Sequence, residues 1–137
     1  MKHTLRVLAL LVAIALLICS TVYASEDTIL QPRYSYISSL TAKVSINTTT
    51  GVTYCYGKVQ ASSFLPVKIL VNLQKKIGND WYTVKSWMET ANTSATVSRY
   101  YCVNSGYEYR VEVVGFIYDS NNALLETEKA YNEQSYP

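Results

Sequence analysis

Histidine is almost missing from this chain. The one imidazole, His3, stands at the extreme start of 137 residues. The rest of the chain therefore cannot assemble a Ser-His-Asp or Cys-His nucleophile. Zinc and related metals need clustered His or Cys, and single cysteines at Cys19, Cys55 and Cys102 make no cluster. Glycine is scarce, five in all, and none builds a loop that cradles phosphate. No Ser-x-x-Lys stands at a strand-to-helix turn. No metal, cofactor or catalytic group is expected, and the chain reads as a non-enzyme.

Excess charge of one sign is also missing. Twelve Lys plus Arg face ten Asp plus Glu. Long apolar runs are confined to one place, Val7 to Ile18. Lys2, His3 and Arg6 precede that run, and Cys19-Ser20-Thr21-Val22-Tyr23-Ala24 follows it. A positive start, a short apolar core and a small-residue exit form a secretory signal. About a dozen apolar residues fall short of the roughly 20 that span a bilayer. Bulky Ile18 before Cys19 argues against a lipid-modified cysteine. Residues 1–24 are therefore expected to be removed and the mature protein to be secreted and extracellular.

Removal takes away Lys2, Arg6, Cys19 and His3. The remaining chain of about 113 residues suits one domain and is formally neutral. A neutral chain without a basic stripe gives no case for nucleic acid or for an anionic membrane. Two cysteines remain. In an oxidising compartment the simplest expectation is a Cys55–Cys102 disulfide.

What the chain has in plenty is Thr, Ser, Val and Tyr, thirteen of the last. These fit a pleated, half-buried surface. Apolar residues recur at every second position rather than at helical spacing. Seven strands are expected: Leu40 to Asn47, Val52 to Ala61, Val67 to Lys76, Trp81 to Thr90, Ala95 to Val103, Tyr107 to Tyr118, and Leu124 to Tyr131. Gly78-Asn79-Asp80 and Asp119-Ser120-Asn121-Asn122 are hairpin signals. Such spacing predicts an all-β sandwich or barrel over residues 39–131. Residues 25–38 and 132–137 read as loosely held ends.

Two groups of carboxylates are candidates for sugar-hydrolysing pairs. Glu108 and Glu112 flank Arg110 on the outward face of the sixth strand, and Glu126 and Glu128 share a face of the seventh. The plainer reading is a solvated face with cross-strand ion pairs. Asp119 with its Asn neighbours offers oxygen ligands, but reads as turn chemistry rather than a calcium site.

Asn104-Ser105-Gly106-Tyr107-Glu108-Tyr109-Arg110-Val111-Glu112-Val113 resembles the sixth strand of fibronectin type III domains. Val67 to Lys76, the turn after it, and Trp81 resemble that family's third and fourth strands. The resemblance covers roughly residues 65–120. It implies an immunoglobulin/fibronectin type III-like sandwich of about seven antiparallel strands, with Tyr109 as a tyrosine corner. It also implies that the second and fifth strands are neighbours, so that the Cys55–Cys102 bond would lie within one sheet. Val111 stands where immunoglobulin domains carry their sheet-bridging cysteine. The mature chain as a whole also resembles a group of small exported proteins of Gram-positive gut bacteria. The shared stretches are Arg33 to Ser39, Leu73 to Lys76, Trp81 with Thr83 to Trp87, and Ser105 to Val111. That resemblance brings no activity or ligand.

The sixth strand is apolar on both faces in its second half. With a shared sheet of strands three, four, six and seven, Val114, Phe116, Tyr118 and Leu70 are expected to form an outward patch. Trp87 or Tyr82 would flank it. Such a patch suggests a partner, a homodimer or a ligand. The alternative is that Tyr34, Tyr36, Ile37 and Tyr136 fold over it. The expected function is a secreted, non-enzymatic interaction domain binding a protein or cell-surface partner through one sheet face. The rival is a carbohydrate-binding module that uses exposed aromatics.

Overall fold

The computed structural model describes residues 36–137. The expected leader and Tyr34 lie outside the described residues. Seven strands follow in order: β1 (Ile37–Ile46), β2 (Val52–Ala61), β3 (Pro66–Ile77), β4 (Asp80–Asn92), β5 (Ser94–Cys102), β6 (Tyr107–Tyr118) and β7 (Leu124–Tyr136). Alternation sets the layers. In β2, Thr53, Cys55, Gly57, Val59 and Ala61 are buried while every residue between them is at least partly open.

Two sheets result, β1-β2-β5 and β4-β3-β6-β7, with every neighbouring pair antiparallel. This is an immunoglobulin/fibronectin type III-like sandwich, as the sequence implies. Its core joins Val44, Ile46, Val59 and Val97 of the small sheet to Ile69, Val71, Leu73, Val111, Val113 and Ile117 of the large one. The two sheets approach closely at Gly57. A methyl group there would sit 2.6 Å from Val71 Cγ2 and 2.8 Å from Val113 Cγ2. Tyr109 makes the expected corner, its buried hydroxyl donating to the Asn104 carbonyl at 2.8 Å. Desolvation raises that phenol above its ordinary value.

The seam between β1 and β7 is closed by side chains. Asn132 Oδ1 accepts from the Val44 amide at 2.8 Å, and Gln134 Oε1 from the Ile46 amide at 2.9 Å. Glu126 accepts from the amides of Tyr36 and Ile37 at 2.7 and 2.9 Å. The Val44 and Ile46 amides of this edge strand are thereby taken and are not open to pairing with another chain.

Three expectations need correction. Cys55 and Cys102 are both free thiols, on opposite sides of the small sheet. Cys55 pairs with Arg99 and faces the core, whereas Cys102 pairs with Val52 and faces out. Three rungs, about 10 Å along the strands, separate them, beyond the about 7 Å that a disulfide bridges. Residues 37–38 and 132–136, expected as parts of loosely held ends, lie in strands, whereas residues 25–35 lie outside the described residues. β1 starts at Ile37, which is buried in the core, and β7 runs on to Tyr136. The Gly106 amide donates to the Tyr136 carbonyl at 2.7 Å. Ile37 and Tyr136 therefore pack on the inner face and do not cover the outward patch.

Candidate functional site

Four of the six residues expected in the outward patch do share the outer face of the large sheet. Leu70 stands opposite Val114, and Lys68 opposite Phe116, with Tyr118 next along β6. Met88, opposite Leu70, and Leu124, opposite Tyr118, widen the patch at its margins, each 55% exposed. Its middle is largely covered. Val114 is only 5% exposed, and the Lys68 ammonium lies 5.8 Å from the centre of the Phe116 ring. A shallow depression of about 550 Å³ lies beside it, between Lys68, Thr90, Tyr118 and Asn122.

Trp87 and Tyr82 do not join this face. Trp87 pairs with Val71, points inward, and meets Tyr101 edge-on at 6.4 Å. Tyr82 pairs with Lys75, whose other neighbour is the buried Tyr109. Trp87 follows from regular register, and for Tyr82 the cause is a bulge: the register shifts after Leu73 pairs with Lys85, leaving Val84 as an extra residue in β4. One extra residue turns every later side chain to the opposite face. Trp81 is thereby turned outward in place of Tyr82.

The remainder of the large outer face is self-paired. Arg110 is held between two rings, 4.3 Å from Trp81 and 4.7 Å from Tyr131. Its Nε donates to Gln74 Oε1 at 2.7 Å, and its guanidinium lies 3.9 Å from Glu133. Lys76 bonds Glu108 at 2.9 Å. Glu112 accepts from Asn72 at 3.0 Å and from Lys129 at 3.2 Å, and Ser86 donates to Asn72 at 2.7 Å. Burial alone would raise the Glu112 carboxyl. Hydrogen bonds from Asn72 and Lys129, the Lys129 charge and a bond from Tyr131 outweigh it and hold the group below its ordinary value. Glu108 and Glu112 are thus occupied in cross-strand pairing. Glu126 lies elsewhere, on the β1 seam. Asp119 Oδ1 accepts from the amides of Asn121 and Ala123 at 2.9 and 2.8 Å, which is turn chemistry.

The outer face of the small sheet is built differently. Tyr54 and Tyr56 of β2 stand side by side with ring centres 6.3 Å apart. Tyr100 of β5 lies opposite Tyr54, at 5.2 Å, and is 69% exposed. The Ser98 hydroxyl donates to the Tyr54 oxygen at 3.2 Å. Beside Tyr54 and Tyr100, a shallow depression of about 400 Å³ runs down to Ser45, Asn47 and Thr50. The turn below it is fixed: Asn47 Oδ1 accepts from the amides of Thr49 and Thr50. Gly51 adopts a φ of 73°, and a methyl there would collide with the Val103 carbonyl oxygen.

Sequence reasoning passed over these tyrosines. The signal was present in Tyr54-Cys55-Tyr56: once Cys55 faces the core, both flanking rings face out. No family model matches the chain, and no curated protein matches it.

Proposed function

We propose that this protein is an exported, non-enzymatic binding domain that engages a cell-surface partner through the outer face of β1-β2-β5. The observation that carries the reading is the Tyr54–Tyr56–Tyr100 platform on a rigid sheet. Tyrosines give large contact area at little loss of side-chain freedom, and Ser45, Ser98 and Thr96 around them supply adaptable hydrogen bonds. The large outer face offers less, because its charged and amide side chains already pair with one another. Export rests on the signal-like leader and on the resemblance to small exported proteins of Gram-positive gut bacteria.

The test is binding of the labelled protein to intact bacterial and epithelial cells. Replacing Tyr54 and Tyr100 together by Ala should reduce the bound fraction at least tenfold, since central aromatic anchors contribute about 2 kcal/mol or more each. Unchanged binding by a variant with unchanged circular dichroism would defeat the reading.

One observation favours a second reading, a protein partner on the large sheet. Met88 and Leu124 are open at the margin of the patch, next to the 550 Å³ depression. Loss of cell binding in Met88→Glu with Leu124→Glu, but not in the tyrosine variant, would transfer the function to that face.

A further inference from the structure

The charged groups of the small sheet are sorted by sign. β1, β2 and β5 together contain no Asp or Glu. Their cations are Lys43, Lys58 and Arg99. Arg99 is neutralised by Glu89 of β4 at 2.9 Å. Lys43 and Lys58 face outward, and neither has an acidic partner among the described residues. Lys43 stands directly across from Tyr56, and Lys58 lies two residues further along the same strand. Two residues along a strand are about 6.7 Å. Tyr56 is thus bordered by one ammonium across the ladder and another along it, with Ser98 on its third side.

We infer that this face binds an anionic glycan, sugar rings bearing carboxylate or phosphate groups. The inference rests on the platform being the binding surface and adds the chemistry of its occupant. The face of a tyrosine ring matches the C–H face of a pyranose. Hydroxyls of Ser45, Thr96 and Ser98 match sugar hydroxyls. Lys43, across from Tyr56, and Lys58, two residues along its strand, supply point charges, and no carboxylate stands in β1, β2 or β5 to repel an anion. Two lysines are too few for a polyanion as dense as nucleic acid, where affinity depends on neutralising many phosphates.

Electrophoresis of the purified protein through gels containing a defined polymer tests this. Four polymers are used: polygalacturonate for carboxylated sugar, poly(ribitol phosphate) for phosphate, hydroxyethylcellulose for uncharged sugar, and poly-glutamate for charge without sugar. Retardation is expected in at least one of the first two, weaker in the third and fourth, and reduced by salt. Lys43→Gln with Lys58→Gln should weaken it about tenfold, as should Tyr54→Ala with Tyr100→Ala. Equal retardation by the uncharged polymer, unaffected by the lysine changes but lost with the tyrosine changes, would overturn the anionic ligand while leaving the platform standing. Poly-glutamate binding as strong as that of the glycans would overturn the sugar. Glycan binding that survives the tyrosine changes would overturn the platform itself. No retardation in any gel would overturn the inference. So would a dimer in sedimentation that Tyr100→Ala dissolves, because a second copy would then be the occupant.

Discussion

Thiol labelling separates the two cysteines by the face each occupies. Cys55 is fully buried, and burial pushes its thiol from 9.0 up to about 12. Only the thiolate attacks an alkylating reagent. Near pH 8 a thiol with the ordinary value is about one-tenth ionised, and one at about 12 about one ten-thousandth, so ionisation alone slows Cys55 about a thousandfold. Closure of the core over its sulfur slows it further. Cys102 is exposed beside Val52. Reduced, folded protein treated with iodoacetamide should therefore carry the adduct on the Cys102 peptide, with Cys55 labelled only after denaturant is added. Peptide mapping by mass spectrometry reads both sites at once. Comparable rates at the two residues, or a Cys55–Cys102 linked peptide from unreduced protein, would refute the opposite-face placement. The same shift ties stability to pH. Above about pH 9 the unfolded chain ionises Cys55 while the folded chain keeps it protonated, so unfolding is favoured there. The contribution of the buried thiol is complete below that value and is lost as pH rises towards about 12, at most about 4 kcal/mol in all. Cys55→Ala should flatten that alkaline limb.

Gly57→Ala drives a methyl into Val71 and Val113 and should lower stability by about 1–3 kcal/mol, read as a fall in Tm. Glu112→Gln should cost about 1 kcal/mol at neutral pH. The carboxyl is held below its ordinary 4.5, so its contribution is present above that value and fades as pH falls through the folded one; urea midpoints of variant and parent should converge in acid. Asn132→Ala with Gln134→Ala removes the side-chain acceptors of the Val44 and Ile46 amides. Hydrogen exchange should accelerate at those two amides while the β3 and β6 amides keep their protection.

The fold was legible because alternation is a local signal. Val67, Ile69, Val71 and Leu73 declare the inner face of β3 without knowledge of any partner, and the Tyr109 corner follows from the resemblance of residues 104–113 to the sixth strand of fibronectin type III domains. The end of β7 was not legible. Its inward positions, Glu126, Asn132 and Gln134, are polar because they serve β1 backbone amides across the seam. A polar inward row reads as a frayed tail until the neighbouring edge strand is in place. The outward patch was half legible. Leu70, Val114, Phe116 and Tyr118 obey strand parity, whereas Tyr82 is turned inward by the bulge at Val84, which no residue type announces. The disulfide failed on register: two cysteines on neighbouring strands tell nothing of the rungs between them. Tyr54, Tyr56 and Tyr100 were legible in principle, but strand-forming propensity already accounted for tyrosine.

Net charge is a coarse guide for a related reason. The chain without its leader sums to zero, which by itself gives no case for nucleic acid or for an anionic membrane. Topology undoes that sum. Every carboxylate in a described strand belongs to β4, β6 or β7, and on the large outer face each is matched to a nearby cation or amide. The sheets are stacked about 10 Å apart, and side chains on the two outer faces lie further apart still. Screening at physiological salt acts over about 8 Å. A ligand approaching Lys43 and Lys58 therefore meets their ammonium groups and almost nothing of the glutamates behind the core. In a two-layer fold the relevant charge is that of one face, and it is set by which strands share a sheet.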